Sequence, residues 1–236
     1  MQIKKHIPNT ITLLNLFCGC IAIICITNKD FTMAFYMVSL GIFLDFFDGF
    51  FARLFKVSSP LGLQLDSLAD MVTSGVVPGY VLFTLLAHFD LTTDKFFPYL
   101  GFIVTMGACY RLANFNIDER QTDSFIGLPT PANALFILSL PLIMFNDNYF
   151  FLTNWLMNKW ILLAIVALST FIMNAEIPLF SLKIKKFNWK DNALQILFLL
   201  LSFILLIGFQ FLGVSLIIIL YVMVSVVNNT FIKSKV

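Results

Sequence analysis

Four aspartates and an arginine recur at helix-turn spacings: Asp45-x-x-Asp48-Gly49-x-x-Ala52-Arg53, then Gly62-x-x-x-Asp66-x-x-x-Asp70. Within each pair the aspartates lie three or four positions apart, so each pair shares one helix face. The intervening Ser58-Ser59-Pro60-Leu61-Gly62 reads as a turn that returns the second pair toward the first. Four carboxylates without thiolate or imidazole form an all-oxygen donor set, which suits Mg²⁺ or Mn²⁺ and not zinc. Two such ions would nearly cancel the carboxylate charge, leave positions for diphosphate oxygens and act as Lewis acids. A carboxylate not fully taken by metal could accept a proton from an attacking hydroxyl. Gly49 and Ala52 lie close to the Asp48 face with almost no side chain, opening a slot for a bulky planar group. Arg53 follows one turn later and offers a planar, permanently charged fork to a phosphate. The bland alternative is a set of interfacial salt bridges with Arg53, Lys56 and Arg111. Four aspartates in fixed register with Gly, Ala and Arg between them fit a site better.

The elements that must carry these residues are membrane helices. Hydrophobic residues make up 59% of the chain and charged residues 12%, with a mean hydropathy of +0.91; soluble domains average about 25% charged. An aspartate at the centre of a membrane helix costs about 2.5–3.5 kcal/mol, so four left unpaired would cost on the order of 10 kcal/mol. The net charge of +2 is too small to suggest nucleic acid. Cys18, Cys20, Cys25 and Cys109 fall in apolar stretches without metal-ligand spacing and read as packing residues. His6 and His88 lie at segment ends and read as surface residues. Lys4 and Lys5 precede the first apolar run, which has no clean cleavage site after it and reads as a retained first helix.

Candidate spans are 10–27, 33–55, 66–87, 96–115, 130–146, 157–175, 192–208 and 211–228. Between the last two, near Gly208 to Gly213, the chain could form a tight hairpin or one long bent helix. Eight spans place both termini on one side. Of 15 Lys and Arg, that side would hold twelve (Lys4, Lys5, Arg53, Lys56, Arg111, Arg120, Lys183, Lys185, Lys186, Lys190, Lys233, Lys235) and the other only Lys29, Lys95 and Lys159. Positive charge gathers on the cytoplasmic side, so both termini and the aspartate motif are expected there, at the cell membrane.

The pattern Asp48-Gly49-x2-Ala52-Arg53-x8-Gly62-x3-Asp66-x3-Asp70, with Asp45 upstream, matches without departure the signature of the CDP-alcohol phosphatidyltransferases, and the chain resembles that family over residues 5–175. The resemblance implies an all-α integral membrane protein with a six-helix core, usually a homodimer. Such an enzyme moves a phosphatidyl group from a CDP-lipid to an alcohol and releases CMP. It implies that Asp45, Asp48, Asp66 and Asp70 hold two divalent metals and that Asp70 is also the base. It places Gly49, Ala52, Arg53 and Ser59 at the CDP site. Gly62 belongs to the same signature, and Asn9 and Thr12, which share a helix face, are candidates for nucleotide contact. The expected organisation is a catalytic core over 1–180, then a basic cytoplasmic loop and a transmembrane hairpin over 181–236.

The acceptor must be read elsewhere. Ile7-Pro8-Asn9-Thr10-Ile11-Thr12-Leu13-Leu14-Asn15, Arg111-Leu112-Ala113-Asn114-Phe115-Asn116 and Phe125-Ile126-Gly127-Leu128-Pro129-Thr130-Pro131-Ala132 are similar to segments of the membrane-embedded bacterial and archaeal phosphatidylserine synthases. Asn114 stands where those proteins usually carry an arginine. Serine, a zwitterion, needs a cation for its carboxylate and acceptors for its ammonium, and Arg111, Asn114 and Asn116 are the candidates. The expected partners are CDP-diacylglycerol, L-serine and membrane lipid. Glycerol 3-phosphate, a dianion, would call for more cations, yet remains the alternative acceptor of the same chemistry. Two readings of other classes are an intramembrane prenyltransferase, with Asp-rich clusters on two distant helices, and a cation transporter, with carboxylates nearer the midplane on broken helices.

Overall fold

The computed structural model describes residues 3–57, 59–89, 95–118, 126–180 and 192–233. Among these residues the fold is helical apart from turns and one isolated backbone bridge. α1 (Ile3–Thr27) and α2 (Phe31–Phe55) form an antiparallel hairpin closed by Asn28-Lys29-Asp30. Asp30 caps α2 by accepting the Met33 N–H at 2.9 Å. At the other end Lys56 adopts the left-handed conformation and donates its N–H to the Ala52 and Arg53 carbonyls. Ser59 then caps α3 (Pro60–Asp70), accepting the Gly62 N–H at 3.0 Å, with Pro60 in the first turn. The expected turn is therefore built as a helix stop followed at once by a helix start.

α3 runs through a π-helical turn, Met71–Val76, into α4 (Val77–Leu86). The wider turn changes the helix phase between two faces that have different tasks. Before it Asp66 and Asp70 face the cavity described below; after it Val77, Val81, Leu82, Leu85 and Leu86 enter the apolar core. Thr105 donates to the Gly75 carbonyl at 2.9 Å, and Thr73 to Asn15 O and Ala69 O at 3.2 Å. The Gly75 carbonyl of the irregular turn thus finds a partner, and Thr73 ties the turn to α1, where water is scarce.

A 3₁₀ turn, Phe97–Phe102, leads into α5 (Ile103–Phe115), followed by α6 (Thr130–Met144), α7 (Phe150–Leu156), α8 (Lys159–Asn174) and α9 (Ala193–Lys233). Helical segments thus occupy all eight predicted intervals. By length and hydropathy His6–Thr27, Phe31–Phe55 and Pro60–Leu86 are each able to cross a membrane, and Ala193–Asn229 is the most apolar stretch; Thr130–Met144 bends by 94° into Asp147–Leu156. α9 is a hairpin. Gln210 has φ 48° and ψ −117°, and a Cβ on Gly213 would collide with the Leu205 carbonyl, so the two arms run back along each other. Ser215 and Ser139 hydroxyls, 2.5 Å apart, tie the second arm to α6. The chain is a multi-pass membrane protein.

The core is built from Ala22 and Ile26 of α1, Ala34 and Val38 of α2, α4, and Ile137 and Leu138 of α6. Asp45 and Asp48 lie two to three turns past Val38 on α2, so the carboxylates occupy the end of the bundle away from this packing.

Candidate active site

α2 and α3 bring the aspartates together. One oxygen each of Asp45, Asp48 and Asp66 lies within 4.8 Å of the others. Asp70 lines the same cavity of roughly 420 Å³, together with Gly49, Arg53, Ser67, Arg111 and Asn116. Asp48 and Asp70 are buried, with 6% and 9% of their surface exposed. Their hydrogen-bond donors are neutral. Thr12 Oγ1 donates to Asp48 Oδ2 at 2.5 Å, and Asn15 Nδ2 donates to Asp70 Oδ1 at 3.1 Å and more weakly to Asp45 Oδ1 at 3.5 Å. Neutral donors fix the carboxylates without cancelling their charge. A hard, all-oxygen, strongly anionic cluster therefore fits divalent cations, and Asp45, Asp48 and Asp66 are the residues that would hold one.

A second cavity of roughly 170 Å³ adjoins the cluster from the α1 side. Asn9, Thr12, Gly49, Ala52, Ser59 and Gly62 line it beside Asp48 and Asp66, so every candidate nucleotide residue except Arg53 meets here. A Cβ on Gly62 would stand 3.3 Å from both Asn9 Oδ1 and Ser59 Oγ; glycine keeps these two oxygens accessible. At Gly49 the nearest atom to an added Cβ is Arg53 Nη1 at 3.8 Å, so the slot beside Asp48 is open. Arg53 itself is exposed and lines the larger cavity.

The acceptor candidates divide. Arg111 lines the larger cavity, but three of its five N–H groups are committed to backbone: Nη1 donates to Ile126 O at 2.9 Å and Met173 O at 2.5 Å, and Nη2 to Gly127 O at 3.0 Å. Asn116 lines the cavity and donates to Ser67 Oγ at 2.8 Å. Asn114 is exposed and lines neither cavity, because the 100° helical step carries it off the face shared by Arg111, Leu112 and Phe115. Phe125, Arg120 and the loop 181–191 lie outside the described residues.

A model of the CDP-alcohol phosphatidyltransferase family matches residues 5–172, more than half of the chain. The chain belongs to the CDP-alcohol phosphatidyltransferase family. Among similar proteins, a Bacillus subtilis protein named CDP-diacylglycerol–serine O-phosphatidyltransferase is 35% identical over 140 residues, covering 58% of this chain and 75% of its own length. A Helicobacter pylori protein of the same name is 30% identical over 203 residues, 84% of this chain and 81% of the relative. A Saccharomyces cerevisiae protein, also so named, is 36% identical over 156 residues, 59% of this chain and 55% of the relative.

For a CDP-alcohol phosphatidyltransferase the carboxylates of the motif have a bridging partner that the motif does not name. Asn15 is fully buried and bridges Asp45 to Asp70, carboxylates from opposite sides of the signature. Its carbonyl also accepts from Thr73 in the π turn. The sequence signal is an isolated amide within an apolar run, one helical turn after Thr12 and on nearly the same face.

Proposed function

We propose that this phosphatidyltransferase moves the phosphatidyl group of CDP-diacylglycerol to the hydroxyl of L-serine, giving phosphatidylserine and CMP in phospholipid synthesis. The observation that carries the reading is the junction of two cavities on one carboxylate cluster: a smaller one lined by Asn9, Thr12, Ser59 and Gly62, and a larger one lined by Arg111, Asn116 and Thr130. The shared name of the similar proteins selects serine among alcohols.

In this reading Asn9, Thr12, Gly49, Ala52, Ser59 and Gly62 receive the CMP part, and Arg53 reaches the diphosphate. Asp45, Asp48, Asp66 and Asp70 hold two divalent ions, Mg²⁺ or Mn²⁺, which when bound stabilise charge on the departing CMP. Asn15 occupies Asp70 Oδ1, leaving Oδ2 to take the serine hydroxyl proton. The serine oxygen then bonds to the lipid-side phosphorus. The bond from that phosphorus to the bridging diphosphate oxygen breaks, and CMP leaves with the electron pair. Arg111 and Asn116 face the acceptor. Residues 1–180 form the catalytic core and 181–236 the basic loop and hairpin. The enzyme works as a homodimer in the cell membrane with its site and both termini toward the cytoplasm.

The test is an acceptor panel. Purified enzyme receives CDP-diacylglycerol, divalent metal and, separately, L-serine, glycerol 3-phosphate or inositol, and lipid products are separated by thin-layer chromatography. Serine-dependent phosphatidylserine with matching CMP release is expected; product from glycerol 3-phosphate alone would replace the serine assignment.

A further inference from the structure

The C-terminal hairpin reaches the site through the backbone of residues 175–180, a non-helical segment that follows α8 and lies beyond the family match. The second arm of α9 carries Tyr221, Ser225 and Asn229 at four-residue intervals, a polar stripe on one face of an apolar helix. Tyr221 donates its hydroxyl to Phe180 O at 3.0 Å, and Ser225 Oγ accepts the Phe180 N–H at 3.3 Å. Asn229 Nδ2 donates to the Pro178 carbonyl. The Tyr221 ring also packs on Phe180 and on Phe198 of the first arm, with centroids 4.9 and 5.6 Å apart. Non-helical backbone packed against apolar helices needs protein partners for its polar groups, and these three side chains supply them to Pro178 and Phe180.

The other edge of the segment meets the active site. Ile126 and Pro178 form an antiparallel bridge, and the Gly127 N–H donates to Ile177 O at 2.8 Å. Arg111 holds the Ile126 and Gly127 carbonyls. Pro129, Thr130 and Pro131, which follow directly, form a wall of the larger cavity. A continuous chain of bonds therefore runs from Tyr221, Ser225 and Asn229 to that wall.

We propose that the C-terminal hairpin is a positioning element for the acceptor, with Tyr221, Ser225 and Asn229 as its positioning residues. The inference rests on the reading that the alcohol occupies the larger cavity. The nucleotide side, built from α1 to α3, lies outside this chain of bonds. Loss of the ladder therefore changes acceptor use and spares CDP-lipid use.

The experiment uses full-length enzyme in mixed micelles carrying Tyr221→Phe, Ser225→Ala and Asn229→Leu together. Phenylalanine keeps the ring packing and removes only the hydroxyl. The KM for L-serine rises roughly tenfold, while the KM for CDP-diacylglycerol and its thermal stabilisation of the protein stay at the wild-type level. Ser215→Ala removes a different bond of the same arm, to Ser139, and leaves the serine KM unchanged. An unchanged serine KM in the triple variant, or equal rises for both substrates, overturns the proposal. Should the triple variant fail to assemble, Tyr221→Phe and Ser225→Ala singly are read by the same split. A wild-type enzyme that uses only another alcohol overturns the serine assignment and not the ladder, which is then read with that alcohol's KM.

Discussion

Thr12 donates to Asp48 and Asn15 to Asp70, neutral donors in a buried site that orient a carboxylate and preserve its negative charge. Replacing Asp70 by asparagine keeps the shape and the contact with Asn15 but removes the base. Turnover of the Asp70→Asn variant falls by about 10²-fold or more, while CDP-diacylglycerol binding, followed by thermal stabilisation, is retained. Near-normal CMP release by this variant would remove Asp70 from the base role. Asn15→Leu acts on two carboxylates at once, because the same amide meets Asp45 and Asp70. With neither carboxylate held, the divalent-ion requirement rises roughly tenfold. The shift is measured both as the metal concentration for half-maximal rate and as Mn²⁺ binding to substrate-free protein by paramagnetic resonance. An unchanged Mn²⁺ affinity would make Asn15 a packing residue only.

Two glycines show how elements, and not the motif alone, set what each position tolerates. Gly49 faces open space toward Arg53, so Gly49→Ala leaves the melting temperature unchanged and raises the KM for CDP-diacylglycerol by filling the slot beside Asp48. Gly127 has φ 73°, and an added Cβ would collide with the Met173 carbonyl and stand 2.8 Å from Arg111 Nη1. The left-handed backbone alone costs a non-glycine residue about 1–2 kcal/mol, so Gly127→Ala lowers the melting temperature as well as activity. Equal melting temperatures for the two variants would contradict this contrast. The helices around both positions were legible because apolar runs and polar breaks mark them, and the motif marked the α2–α3 pair by spacing. The π turn was not legible as such: Ser74-Gly75 and the following Pro78 mark a weak point in the helix but do not say that the turn widens there. Its effect, turning Asp70 to the cavity and Val77 to the core, depends on what packs on each side. Asn15 was hidden for the same reason, since an amide in an apolar run gains a role only from the carboxylates that two other helices bring to it. Arg111 was legible as a cation near the site, but its commitment to three carbonyls required the 126–128 and 173 backbones to be in place. The choice between hairpin and bent helix near Gly208–Gly213 turned on one residue, Gln210, whose backbone angles composition does not dictate.

Among the described residues, Arg53, Lys56 and Arg111 share one end of the bundle with the site. α2 is 25 residues long, about 37 Å, so it separates Lys29 in the α1–α2 turn from Lys56 at its far cap by roughly a bilayer's hydrocarbon thickness. The aspartate cluster lies toward the Lys56 end. The proposed reaction, with a charged nucleotide-lipid head group and serine supplied from the cytoplasm, needs the cluster to open there, and the bias of twelve basic residues to three predicts the same direction. Both lysines are exposed, which makes the orientation measurable. In a background with Cys18, Cys20, Cys25 and Cys109 replaced, Lys29→Cys in right-side-out membrane vesicles reacts with a membrane-impermeant maleimide. Lys56→Cys reacts only after the vesicles are opened. The reverse order would place the carboxylates on the outer face, where cytoplasmic CDP-lipid and serine could not reach them, and would set the proposed reaction against the topology. Labelling of both positions from outside would instead mean that α2 does not span the bilayer.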